Sequence, residues 1–182
     1  MNIREENRTR KWIIDALFDL IGRRDYHDIT IARIVDKAGL GRRTFYRYFK
    51  TKDEVVEYTA GLLMGEFAEL VLAEHADTLE TIMKSYFEFW ENYMDVLILL
   101  KKAHLLYFIE DNMLPLVCGV AQKAGHIPAD LSEEKLLEKY EQYKFEFAFK
   151  LSGIWKVTLL WCEEYPRKTP EEMGRLIDDM LK

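Results

Sequence analysis

The chain is poor in cysteine and proline and has no long apolar run. Only Cys118 and Cys162 occur among 182 residues, far apart and without CxxC or Cys/His spacing, so neither a disulfide framework nor a zinc site is indicated. Four prolines leave most of the sequence free to stay helical. The longest purely aliphatic run, Val96 to Leu100, is far short of the roughly 20 residues that span a membrane. No export or anchoring signal is legible, because Asp15 and Asp19 interrupt the N-terminal apolar patch. A reducing cytoplasm is the expected home. Chemical motifs are equally scarce. His27, His75, His104 and His126 are scattered without metal spacing, no glycine-rich phosphate loop occurs, and no nucleophile sits in a recognisable motif. No catalytic residue, metal or cofactor is expected.

What is present is apolar content and a division of charge. Hydrophobic residues make up 49% and aromatics 13% of the chain, which excludes disorder, and the length suffices for one sizeable core or two small ones. The net charge of −6 conceals two unlike segments. Residues 1–52 hold 13 lysines and arginines against 7 acids, whereas residues 53–182 hold 13 against 25. From Lys37 to Lys52 six cations follow one another with no acid between them. A basic head on an acidic body is the charge pattern of a polyanion-binding domain carried by a part that repels DNA.

The basic segment has the grammar of a helix-turn-helix. Thr30 suits an N-cap, Ile31, Ile34 and Val35 share an apolar side, and Gly39 supplies a left-handed terminus before the turn Gly39-Leu40-Gly41. In the following helix, Arg42 to Phe49, the residues Phe45 and Phe49 point inward one turn apart, leaving Arg43, Tyr46, Arg47 and Lys50 on the outer face. Arg42 and Arg43 occupy the first turn, where the helix dipole disfavours cations, behind a glycine that caps poorly. That breach of a local rule makes sense where phosphates or guanine edges arrive.

Thr30, Ile34, Ala38-Gly39-Leu40, Thr44-Phe45-Tyr46, Tyr48-Phe49 and Lys52 together resemble the N-terminal domain of the TetR family of bacterial transcriptional regulators, over Asn7 to roughly Tyr58. The resemblance implies that Arg42, Arg43 and Tyr46 lie nearest the bases of double-stranded DNA, with Thr30, Thr44, Tyr48 and Lys52 on phosphates. Arg47, on the same outer face, joins the DNA-binding set. Gly41, Arg43 and Tyr48 depart from the commonest family pattern, which bears on the operator read. Arg4, Arg8, Arg10 and Lys11 could add a flanking contact.

Apolar periodicity predicts helices through the rest. The first runs from about Thr9 to Gly22, with Trp12, Ile13, Ala16, Leu17, Leu20 and Ile21 as its buried stripe. Thr51 caps a fourth reaching Glu74, and Asp77 with Glu80 forms a capping box for a fifth ending near Asn92. A sixth spans Asp95 to about Lys102. A seventh, kinked or split near Pro115, runs to about Lys123, and an eighth runs from a cap at Asp130 to about Glu164. Thr169 with Glu172 caps the ninth. The expected fold is therefore all-α, about nine helices, with a three-helix DNA-binding domain at 1–52 and an effector-binding and dimerisation domain at 53–182.

The aromatic excess of the body suggests a pocket wall, since Tyr and Trp need polar partners when buried. Candidates on pattern are Met83, Phe87, Trp90 and His104, then Phe108, Tyr140, Tyr143 and Phe147. The eighth helix is apolar on two sides and so needs two partners. The resemblance implies that a second copy is one of them, giving a homodimer with Ile154, Thr158, Trp161, Met173, Leu176, Ile177 and Met180 as interface candidates. The functional expectation is a cytoplasmic transcriptional regulator, a repressor released by a small-molecule effector. The alternative is an all-helical ligand-sequestering or protein-interaction module whose basic head does not read DNA.

Overall fold

The computed structural model of the protein describes residues 3–73, 78–113 and 133–181, with side chains taken from Arg8 onward and, in the first half of the long eighth helix, at Phe145 alone. The elements are α1 (Ile3–Ile21), a 3-10 turn (Tyr26–Asp28), α2 (Ile31–Ala38), α3 (Arg42–Tyr48), α4 (Lys52–Ala73), α5 (Leu79–Asn92) and α6 (Met94–Lys102), then α7 at 107–113, α8 (Glu133–Trp161) and α9 (Pro170–Leu181). Among the described residues every regular element is helical, as the periodicity predicts. The expected kink at Pro115 and the cap at Asp130 lie outside the described residues.

Helix ends follow side-chain capping. Thr30 Oγ1 accepts the Arg33 N–H at 3.4 Å, and Gly39 closes α2 at φ 66°, a conformation that costs a side-chain-bearing residue about 1 kcal/mol or more. Thr51 Oγ1 accepts from Glu54 N at 3.1 Å while the Glu54 carboxylate accepts from Lys50 N at 2.6 Å. Thr169 and Glu172 exchange the expected pair of bonds, at 2.8 and 3.2 Å. Helix α5 differs from expectation. Its capping box is made by Thr78 and Thr81, whose hydroxyls reach each other's backbone N–H; Asp77, the expected cap, lies outside the described residues.

The chain folds into two compact units, one formed by Met1–Leu62 with Leu99–Ile109 and one by Leu63–Ile98 with Glu110–Lys182. In the first, Ile13, Leu17, Ile34, Phe45 and Val55 are sealed from solvent, and the side chains of residues 99–109 join that core at Leu100, Leu105 and Ile109. Trp12 departs from the predicted stripe. It is 43% exposed with the Arg8 guanidinium 5.0 Å from its ring, since it lies about 100° round the helix from Ile13. Helix α4 runs without a break through 22 residues, about 33 Å at 1.5 Å per residue, its first half in one unit and its second in the other.

The second unit is organised by rings. Phe87 meets Trp161 edge-on at 5.1 Å, Trp90 meets Trp155 at 5.7 Å, and Phe67 meets Tyr86 at 5.6 Å. Tyr86, fully buried, shares a hydrogen bond of 3.0 Å with the buried hydroxyl of Thr158. Burial holds its own hydroxyl well above the ordinary phenol range. Helices α5 and α9 pack closely through Gly174, where an added Cβ would sit 2.8 Å from the Glu80 carbonyl oxygen and 3.0 Å from Lys84 N. Gly174→Ala should therefore destabilise the protein by roughly 1–3 kcal/mol through overpacking. Gly61→Ala, exposed in α4 with nothing within 4 Å, should be neutral or stabilising by up to about 1 kcal/mol. Denaturant midpoints of the two variants check the contrast.

Candidate nucleic-acid interface

Helix α3 is short, and its roll is set by apolar burial. Phe45 is 0% and Phe49 4% exposed, and their rings lie 6.1 Å apart. With about 100° per residue, that burial turns Arg42, Arg43, Tyr46 and Arg47 to solvent, and all four are exposed. Tyr46, at 56% exposure, leans its ring edge on Phe45 at 5.7 Å. Neither Arg42 nor Arg43 has a protein partner among the described residues. Gly41 caps the helix without any side-chain bond, so its first-turn N–H groups and two guanidinium groups share one open end, an anion-attracting arrangement.

The other expected contacts divide into two kinds. Thr30 is exposed but its hydroxyl is engaged in capping α2. Thr44 and Tyr48 are half-buried. Tyr48 stands 5.5 Å from the Arg10 guanidinium, which also lies 5.4 Å from the Tyr58 ring. Arg10 thus ties α1 to α3 and α4, and Lys11 pairs with Asp15 at 2.9 Å.

Lys52 departs most from expectation. Its ammonium donates to the carbonyl oxygens of Tyr26 and, at 3.0 Å, Ile29, and lies 4.2 Å from the Tyr26 ring centroid. The reason is local. The 3-10 turn closes with the Ile29 N–H on the Tyr26 carbonyl, but the Ile29 carbonyl beyond it has no helix to continue into, and a part-buried carbonyl calls for a donor. Asp53 completes the clamp by accepting the Tyr26 hydroxyl. Burial first, and the adjoining carboxylate second, push that phenol far above its usual range, so it donates at any physiological pH. Nothing in the sequence discloses these carbonyls, and Lys52 therefore reads there as one more cation.

On the opposite edge of α2, Lys37 pairs with Asp19 at 2.6 Å and Arg23 with the same carboxylate at 2.8 Å. The Lys37 hydrogen bond is the foremost cause holding the Asp19 carboxyl below its ordinary range.

The body candidates are placed apart from one another. Met83, Phe87 and Trp90 lie in the ring-packed core of the second unit, His104 and Phe108 belong to the first unit, and the side chains of Tyr140, Tyr143 and Phe147 lie outside the described residues. A cavity of about 400 Å³ does occur in the second unit, lined chiefly by Glu110, Met113, Leu151, Trp155, Lys156 and Leu159. None of the five candidates with described side chains, Met83, Phe87, Trp90, His104 and Phe108, lines it. Trp155 Nε1 donates to Glu110 at 2.6 Å there. Among the interface candidates, Ile154, Thr158, Trp161, Met173 and Ile177 are buried within their own unit, Leu176 is half-buried and Met180 is 63% exposed. Among the described side chains of α8, the large exposed apolar ones are instead Phe145 and Phe149, each at 79%, and Leu160 at 54%. Among the described residues no group of three or more His, Cys, Asp or Glu could hold a metal, and no helix is long and apolar enough to cross a membrane.

The two kinds of cation should separate in stability measurements. Lys52→Ala removes the side-chain donor of the part-buried Ile29 carbonyl and one of the two donors to that of Tyr26 and should cost about 1–3 kcal/mol, whereas Arg43→Ala, exposed and unpartnered, should stay within about 0.5 kcal/mol of the parent. Urea denaturation checks both.

Comparison with known proteins meets this geometry at the same segment. Residues 13–59 match the family model described as bacterial regulatory proteins, tetR family. The chain is 32% identical over 71 residues to the HTH-type dhaKLM operon transcriptional activator DhaS of Lactococcus lactis, covering 39% of this chain and 36% of that one. It is 35% identical over 57 residues to the fatty acid metabolism regulator protein of Bacillus subtilis, covering 31% and 29%. The matches thus span about a third of those relatives' lengths. Two solved structures share the fold along nearly the whole chain. The fatty acid degradation regulator FadR from Bacillus halodurans has a TM-score of 0.62 at 16% identity, covering 95% of this chain and 94% of that one. A tetR-family transcriptional regulator from Streptomyces coelicolor has 0.55 at 18%, covering 93% and 78%. The helix-turn-helix segment, residues 13–59, is thus similar to that of bacterial regulatory proteins of the tetR family, and the described helices around it share the fold of the two solved regulators.

Proposed function

We propose that the chain is a dimeric, cytoplasmic regulator of transcription that lays α3 in the major groove of an operator. The observation that carries the reading is the outward, unpartnered pair Arg42 and Arg43 at an uncapped helix start, beside the exposed Tyr46. Arginine forks match guanine O6 and N7 or phosphate oxygens, and each good base contact contributes about 1–3 kcal/mol of discrimination. Dimerisation is supported by the exposed apolar stripe of α8. Phe149 and Leu160 are three helical turns apart on one face, with Phe145 one turn before them. A second copy covering this stripe would hold two heads roughly 34 Å apart, one turn of the duplex, or a multiple of it.

The function is repression relieved by a small molecule. The cavity beside Trp155 supports an effector that is largely apolar with a polar end, since Met113, Leu151 and Leu159 face it together with Glu110 and Lys156. Such an effector shifts operator affinity only by its differential affinity for the DNA-bound and free forms. A second reading keeps the DNA binding and reverses the sign, and is favoured by the relative of Lactococcus lactis being named an activator.

Two experiments test the proposal. In a gel shift against DNA upstream of its own coding region, Arg43→Ala should weaken specific binding by roughly 1–3 kcal/mol and relax one base position; unchanged affinity would remove Arg43 from the interface. Light scattering should show a dimer that Phe149→Asp converts to monomer. A parent protein already monomeric would overturn the dimer.

A further inference from the structure

A cleft of about 730 Å³ lies within the first unit, bordered by the end of α1, the 3-10 turn, the start of α4 and residues 99–107. Its charged wall is mostly positive. Arg23, Arg24, Lys52 and Lys102 border it, together with His27 and His104, against two acids, Asp25 and Asp53. Both acids are engaged. Asp25 accepts the His27 N–H at 2.9 Å, and Asp53 accepts the Tyr26 hydroxyl. Of the cations, Arg23 is paired with Asp19 and Lys52 is bound to backbone carbonyls. Arg24 and Lys102 are left, both exposed and neither with a hydrogen-bond or ion-pair partner among the described residues.

The bland account of such residues is a solvated charged surface, and two observations go beyond it. First, chain segments remote in sequence bring four cations to one concave site against two carboxylates, an excess of positive charge that favours an entering anion. Second, His104 has φ 58° and is the one residue other than glycine at positive φ among the described residues. It terminates α6 as glycine commonly does, with Leu105 N bonded to Leu100 O at 2.9 Å and His104 N to Lys101 O at 3.2 Å. A histidine there costs about 1 kcal/mol or more relative to glycine, and its side chain borders the cleft. Breaking a cheap local rule at a site wall is the mark of a functional position.

We infer that this cleft binds a small polyanion carrying phosphate groups, held by Arg24 and Lys102, with His27 and His104 supplying further N–H donors. Arginine presents a planar fork to phosphate oxygens and lysine a point charge. The volume lies in the range of small-molecule sites and exceeds what a single inorganic ion fills, while the concavity suits a compact ligand better than a duplex. The inference does not rest on the DNA-binding reading, and its test needs no DNA.

The test is isothermal calorimetry of the full chain with sodium pyrophosphate at constant ionic strength. Saturable one-to-one binding is expected, at least about tenfold weaker in Arg24→Ala/Lys102→Ala, as loss of charge-assisted bonds implies, and unaltered in Arg43→Ala. Both substituted side chains are exposed, so the core is untouched. His104→Gly should raise the melting temperature while lowering pyrophosphate affinity, a combination that a purely structural C-cap does not give. Absence of saturable binding, equal affinity of the parent and the double variant, or loss of binding in Arg43→Ala alone would each overturn the inference, the last by placing the anion on α3.

Discussion

The burial of Phe45 is the constraint on which the functional face depends. Because that ring is wholly enclosed, α3 has one permitted roll, and the cations on either side of it have no choice but solvent. Gly39 and Thr30 set where the preceding helix begins and ends, so the angle at which α3 leaves the turn is fixed by backbone and capping chemistry. The proposed recognition surface is therefore a by-product of a small, well-sealed core, and its side chains can vary without disturbing the fold.

Positive charge in the first unit serves two purposes. Lys52, Lys37 and Arg23 have fixed intramolecular partners, whereas Arg42, Arg43, Arg24 and Lys102 have none among the described residues. The first set holds the unit together, notably where Lys52 and Asp53 bind the carbonyls and hydroxyl of the turn between α1 and α2. The second set is available to ligands. Counting cations along the sequence cannot separate the sets, which is why a net charge of +6 over residues 1–52 overstates what remains for DNA.

The sequence disclosed what local rules govern. Thr30, Gly39, Thr51 and Thr169 mark helix ends by chemistry that acts within four residues, and Phe45 with Phe49 fixes a face by periodicity alone. Long-range packing was not legible. Met83, Phe87 and Trp90 read as pocket walls because large apolar residues suit both a cavity and a core, and only the ring contacts of Phe87 with Trp161 and of Trp90 with Trp155, with the burial of all three, decide for core. Likewise the stripe Ile154, Thr158, Trp161 could face its own unit or a partner. The structure gives it to its own unit and leaves Phe149 and Leu160 outside. Nor could the sequence show that residues 99–109 join the N-terminal unit, since nothing in their pattern names the surface they cover.

The central claim is that the outward face of α3 meets a polyanionic duplex. The most direct measurement is the dependence of binding on salt, using DNA upstream of the coding region and a scrambled duplex of equal length. The account predicts affinity falling linearly and steeply with the logarithm of salt concentration, as condensed counterions are released, with the native sequence bound more tightly throughout. A flat salt dependence, or equal affinity for the two duplexes at every salt concentration, would contradict it.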